Sequence, residues 1–503
     1  MKKGNKNFCK FACLLLSVLT LNSCNLFTAS LKDRIVPDLE NVNGLSGEGY
    51  STSSSYSFTL KDVYETVGMK TLNSIGDSKI LVVPVQLTDS PRWSDSMVNN
   101  ARLAFFGESN ETGWESVSSF YYKSSYGKLN ISGEVSPILN LDYSISELAN
   151  SSVSQINGKE PYLTVVKEFL SNDSFDEYRK KYDVDKDGYI DSIAFIYSNK
   201  IDSDNGYWAL TSWHDSKSNL DLPNINSFLW ASYNFINGDQ KHFGYKYASY
   251  GKLVDSHTII HETGHLLGID DYYCYDDDGY DPSGTLEMHS SNIGDESIYS
   301  KFSLGWVDPY YVKTSSSVTL TLRTSSKYPD AILINDNWNN SSCDEYLLIE
   351  YYSPDILNNK DAVSPYGGNG FQMLKTSGFR IYHIDARIVE LSIRGAMIDY
   401  SDTIEDGKSY YVGASNSASL SYLKNHKDDF KLVHLLESGG VNTFKKYNST
   451  ATEKTLFKKG ATFESSKEFF YNINKFNSNE EIGYKISIDK SNDFQGTLTI
   501  SKI

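Results

Sequence analysis

Residues 261–271 read HETGHLLGIDD, and no other stretch restricts the fold as tightly. Two histidines four residues apart share one face of a helix, one turn apart. Imidazole nitrogens suit zinc, and two of them on adjacent turns form half of a tetrahedral site. Glu262, beside the first histidine, cannot easily share the metal, but its carboxylate can reach a metal-bound water. That is the place of the general base in metal-assisted hydrolysis. Ser256 is placed to cap this helix, and Ile259, Ile260, Leu266 and Leu267 give it an apolar face. Gly268 offers the left-handed backbone that ends a helix. A chain turning back there presents Asp271 as a third ligand, ten residues after His261. Asp270 is adjacent and chemically equal, and Glu287 is a rival further downstream. An extended loop points neighbouring side chains in different directions, so one aspartate of the pair is expected to face the metal. With nine histidines in 503 residues, a chance H-E-x-x-H arises in about one such chain in a hundred. The bland alternative, a buried helix whose histidines bond backbone carbonyls, leaves the glutamate unexplained.

HETGHLLGIDD resembles the extended H-E-x-x-H-x-x-G-x-x-H motif of the metzincins, with aspartate in place of the last histidine. Followed by Tyr272 and Tyr273, it is similar to the secreted bacterial metallopeptidases related to immune inhibitor A. KILVVPVQLTD (79–89), FYYKSSYGKLN (120–130) and SKFSLGWVDP (300–309) resemble that family's first strand, its aromatic motif and the end of its catalytic domain. The likeness covers residues 79–310 well and the C-terminal third more loosely, through EYLLIEYY and GFRIYHIDARI. It implies a zincin-like α+β catalytic domain with an active-site helix. It also implies that Met288 is the methionine of the turn beneath the zinc, packed under the histidine ligands. The neighbouring His289 could donate to an oxyanion, although no spacing argument places it there.

Residues 1–24 read as a lipoprotein signal peptide. Four lysines open it, and an apolar run too short for a membrane span follows. Leu21-Asn22-Ser23-Cys24 resembles a lipobox, with cleavage before Cys24 and lipid attached to it. The protein is thus expected outside a bacterial cell, anchored to the membrane or secreted. Residues 25–78 read as a tether or pro-segment. The formal charge of −17 argues against a nucleic-acid partner and suits a surface protein that binds calcium.

A calcium loop is expected at DVDKDGYID, with Asp183, Asp185, Asp187 and Asp191 as oxygen donors around a glycine turn. Ala194 stands where an EF-hand has its glutamate, and Tyr189–Tyr197 reads as a strand. The alternative is an aspartate-rich turn. Residues 206–250 carry Tyr207, Trp208, Trp213, Trp230, Tyr233 and Tyr247. In this fold class an edge strand above the active helix holds extended substrate by backbone bonds, and one of these segments is a candidate for it, although such aromatics are more often core. Cys274 and Cys343 are left in the mature chain, and their pairing is open. Beyond Pro309, short β-rich runs separated by polar turns predict an all-β, sandwich-like domain over 311–503. On one run His383 and Asp385 alternate with apolar residues, as a satisfied sheet histidine does more often than a second metal site.

These features together predict a zinc-dependent endopeptidase acting on proteins or peptides. Zn2+ is held by His261, His265 and Asp271, Glu262 is the general base, and Ca2+ is a further cofactor. The alternative is a catalytically silent surface-binding lipoprotein on a protease-like scaffold, which would be expected to have lost Glu262 or a ligand.

Overall fold

The computed structural model describes residues 50–51 and 56–503, apart from internal stretches of which the longest are 238–253, 364–372 and 418–429. Cys24 and Tyr247 lie outside the described residues. Among the described residues no helix is long and apolar enough to cross a membrane.

The first sheet is built on β1 (Gly76–Gln86), with β2 (Leu129–Val135) on one side and β3 (Ile193–Tyr197) on the other. Its remaining main strands are β4 (Leu210–Trp213) and β5 (Ser227–Ser232), in the order β2-β1-β3-β5-β4. All run parallel except β4, which is antiparallel and ends the sheet. The unbroken apolar run Ile80–Val83 signals a parallel strand covered on both faces, and all four residues are fully buried. Alternate residues serve different cores. Ile80, Val82, Ile196 and Leu229 face one side, and Leu81, Val83, Phe195 and Trp230 face the other.

The second core is closed by a helix over Pro161–Leu170, which starts at its proline, where the missing N–H costs no helical hydrogen bond. The first core receives α1 (Asp95–Phe106), α2 (Val117–Ser124), α3 (His257–Leu266) and α4 (Ile298–Ser303). The aromatic motif at 120–130 helps to seat α3, because the Tyr121 hydroxyl donates to the Ile260 carbonyl at 2.8 Å.

The C-terminal runs contribute to a six-stranded sheet, a four-stranded sheet and a three-stranded sheet over Ile388–Leu391, Met397–Ser401 and Tyr410–Val412. The largest contains β6 (Tyr310–Val312), β8 (Ile332–Ile334), β9 (Glu345–Tyr352), β10 (Gly378–Asp385) and β11 (Val433–Leu436). The four-stranded sheet is led by β7 (Ser317–Arg323), paired with Gln495–Lys502. Leu347, Ile349 and Ile381 face the four-stranded sheet, whose Leu320, Leu498 and Ile500 complete that core. Tyr346, Leu348 and Tyr382 join the first core beside α3. The large sheet is therefore a middle layer with both faces covered, and one apolar core runs across residue 310.

Residues 56–78 fold against this body, so a tether does not extend over them. Leu72 is buried and its N–H donates to the Leu266 carbonyl at the end of α3 (2.7 Å). The Tyr56 hydroxyl donates to Asp308 at 2.8 Å. His383, on β10, is satisfied by Glu345 at 2.7 Å, and Asp385 by Arg387 at 2.8 Å. This is the ordinary state of buried polar side chains in a sheet. Cys274 and Cys343 are not joined in a disulfide.

Candidate metal centre

Helix α3 carries His261 and His265 on the face turned toward the following loop. Ser256 stands at its N-cap, but its hydroxyl donates to the Glu115 carbonyl instead of capping the helix. Asp255 takes that work, accepting the His257 N–H at 3.0 Å. At the other end Gly268 has φ +98°. The chain reverses there and returns Asp271 to the histidines.

Asp271 Oδ1 lies 3.0 Å from His261 Nε2 and 3.5 Å from His265 Nε2. Donor atoms at about 2.0–2.2 Å from one tetrahedral zinc are about 3.3–3.6 Å apart, so Asp271 Oδ1 lies near that spacing from each histidine, and the three donors lie within 4.8 Å of one another. The remaining ring nitrogens point away. His261 Nδ1 is 3.0 Å from the Met288 carbonyl and His265 Nδ1 is 2.7 Å from the Ile269 carbonyl. A carbonyl only accepts, so Nδ1 carries the hydrogen and each Nε2 keeps its lone pair for a metal. Tyr275 donates to Asp271 Oδ2 at 2.5 Å, which leaves Oδ1 as the free donor of that carboxylate.

The electrostatics show a site that draws in positive charge. Burial opposes the charged form of His261, but the Asp271 carboxylate outweighs it and raises the imidazole to about 9. Burial also works against the Asp271 carboxylate, yet His261 holds it well below the usual range. Burial, then the neighbouring His261, pushes His265 down. Glu262 is buried and its Oε2 has no hydrogen-bond partner. Burial raises it to about 7, near the working range of a general base at neutral pH. The donor set, its spacing and the unpartnered oxygens of Asp271 and Glu262 fit zinc.

Asp270 faces elsewhere. It lines a cavity of about 340 Å3 with Tyr64, Tyr272, Cys343 and Leu432, and accepts from Ser417 at 3.3 Å. Glu287 accepts the Ser297 N–H at 3.3 Å and is not among the clustered ligand atoms. Met288 contributes its carbonyl to His261 and its side chain is fully buried in the core that holds α3; the ring of His289 also packs against both histidine rings. Its ring centroid is 4.8 Å from that of His261 and 5.1 Å from that of His265.

Of the aromatic segments, β4 and β5 both lie beside α3, and β4 is the outer of the two among the described strands. Thr211 on β4 donates to the Glu262 carbonyl at 2.7 Å. Trp213 stacks on Tyr64 at 5.9 Å, while Tyr207 and Trp230 are core.

Three groups escape a reading of the sequence. Tyr275 had a local signal, a tyrosine-rich run next to the ligand. Asn416 had none. It stands in a polar stretch 144 residues from Tyr272, yet its Nδ2 donates to the Tyr272 carbonyl at 2.9 Å and to the Val433 carbonyl at 2.8 Å. The metal loop is thereby clamped to β11 of the C-terminal sheet. Ser417 completes this clamp through its carbonyl, which accepts from the Tyr275 N–H at 3.2 Å.

The aspartate loop brings Asp183, Asp185 and Asp187 together, with donor atoms within 4.8 Å of one another. Asp191 instead accepts the Val184 N–H at 3.0 Å. Asp183 accepts from the N–H groups of Asp187 (3.0 Å) and Gly188 (3.2 Å), and Lys70 lies 3.1 Å from Asp187.

No protein-family model matches the chain, and no curated protein matches it. Its function has to be read from these residues.

Proposed function

We propose that the protein is a zinc-dependent endopeptidase with a zincin-like catalytic region. The observation that carries this is the meeting of His261, His265 and Asp271 beside a buried Glu262 carboxylate whose Oε2 has no hydrogen-bond partner. Zinc, when bound there, lowers the pKa of a water toward about 7 and polarises a carbonyl as a Lewis acid. The chain supplies the rest. Glu262 accepts the proton of the attacking water and delivers it to the departing amine. The two imidazoles and Asp271 fix the metal, and Tyr275 fixes Asp271. Strand β4, last in its sheet and tied to α3 through Thr211, is where an extended peptide would add by backbone hydrogen bonds.

The lipobox-like Leu21–Cys24 supports an anchor at Cys24 on the outer face of a bacterial membrane, and Cys24→Ser should release the protein or block its processing. Calcium at the aspartate loop is proposed as a structural ion only. A casein or gelatin zymogram of the purified protein, with and without a zinc chelator, tests the main reading. Cleavage lost on chelation and restored by zinc is expected. A zinc-loaded protein that cleaves neither substrate would speak for a surface-binding role.

A further inference from the structure

His289 is the group in this region that the proposed mechanism leaves unused. Its side chain is fully buried, and neither ring nitrogen has a hydrogen-bond partner. A neutral imidazole has one N–H and one lone pair, and burying both without partners costs on the order of 1–3 kcal/mol each. A buried polar group in that condition calls for an unseen partner.

The surroundings say what kind of partner. One ring nitrogen of His289 lies within 4.8 Å of the ligand atoms of His261, His265 and Asp271 alike. The ring is stacked on His261, with 30° between planes. Room for it is made by Gly264, where an added Cβ would fall 2.0 Å from His289 Nε2. The glycine inside H-E-T-G-H is thus required by the imidazole packed against the helix. Glu296, also fully buried, places Oε1 3.4 Å from His289 Nε2, and both of its oxygens lack hydrogen bonds. A buried carboxylate beside a ligand imidazole is the usual means by which that imidazole is oriented.

We propose that His289 is a further ligand of the same metal, so that the centre is held by three imidazoles and one carboxylate, with Glu296 orienting the third imidazole. This rests on the zinc reading above. A reactant would then take a fifth position, a coordination number that catalytic zinc reaches in the transition state. It also gives Met288 its place: its carbonyl holds His261 while the next side chain turns to the metal.

Zinc K-edge X-ray absorption of the purified full chain, loaded with one equivalent of zinc, tests this without reference to activity. Outer-shell scattering from three imidazoles is expected. Two imidazoles would overturn the proposal and leave the zinc reading standing; no bound zinc, or zinc without imidazole, would overturn both. As a second measurement, Glu296→Gln should lower zinc affinity about 10–100-fold, and His289→Ala at least as much. His289→Ala should also reduce the imidazole count by one. A folded His289→Ala variant with parental zinc affinity would sink the assignment. If that variant does not fold, the absorption spectrum of the parent decides alone.

Discussion

The chain gathers metal-ligating side chains twice, in the loop at 183–191 and around α3, and the two clusters treat them differently. In the first, the backbone answers the carboxylates. Asp183, Asp187 and Asp191 each accept from backbone N–H groups, and Lys70 stands against Asp187. In the second, the groups are more deeply buried and less well answered. Asp271 Oδ1, Glu262 Oε2 and both nitrogens of His289 have no hydrogen-bond partner. Since buried polar groups are nearly always bonded, the unanswered groups of the second cluster support the zinc proposed there, while the carboxylates of the first are already answered by the backbone. A list of carboxylates and histidines ranks both alike; the accounting of their hydrogen bonds separates them.

The sharpest way to break this comparison is to remove a ligand from each. Asp271→Ala should cut zinc occupancy and proteolysis severely, because it removes the one carboxylate of the centre and with it the charge that offsets the cation. Asp270→Ala and Glu287→Ala should keep zinc. Metal analysis of the three purified variants decides it: full zinc in Asp271→Ala, with loss in either other, would move the ligand. Glu262→Gln separates binding from chemistry. The amide keeps the shape but cannot take a proton, so zinc stays while kcat falls on the order of 10²–10⁴-fold. Near-parental turnover by that variant would remove Glu262 from the mechanism.

A smaller effect is expected at Asn416. Its loss strands the Tyr272 and Val433 carbonyls, at about 1–3 kcal/mol for buried groups left unpaired. If the C-terminal sheet positions the metal loop, part of that appears in zinc binding, as roughly tenfold weaker affinity for Asn416→Ala. A lowered melting temperature with unchanged zinc affinity would make Asn416 a structural residue only.

The contrast also explains what the sequence could disclose. His261, Glu262, His265 and Asp271 lie within 11 residues, where helix periodicity and one glycine turn dictate who meets whom. The buried strand at 80–83 and the helix from Pro161 were readable for the same reason, since period and backbone chemistry act locally. What lay hidden depends on tertiary placement. Asn416 and Ser417 reach the metal loop only because the large β-sheet is a middle layer, sharing its Tyr346 face with the core of α3. No pattern within 311–503 announces that. His289 was visible as a residue, but its position under α3 follows from the space at Gly264.

The smallest effects belong to the aspartate loop, where pH and calcium should act in opposite directions. Burial raises the Asp183 carboxyl above its ordinary value and the Asp191 carboxyl to about 6. An unfolded aspartate titrates near 3.9. Between those values the folded loop holds more protons than the unfolded chain, so its contribution to stability is full below about pH 4 and is lost as pH rises through about 6. A cation bound only by the folded loop would offset that loss by mass action. Millimolar calcium should therefore raise the melting temperature by a few degrees at pH 7 and by less at pH 5. Asp185→Ala combined with Asp187→Ala should erase the calcium response, while Asp191→Asn should flatten the dependence on pH in chelator. If calcium moves the parent at neither pH, the loop is an aspartate turn closed by its own backbone, and the difference between the two clusters becomes one of kind.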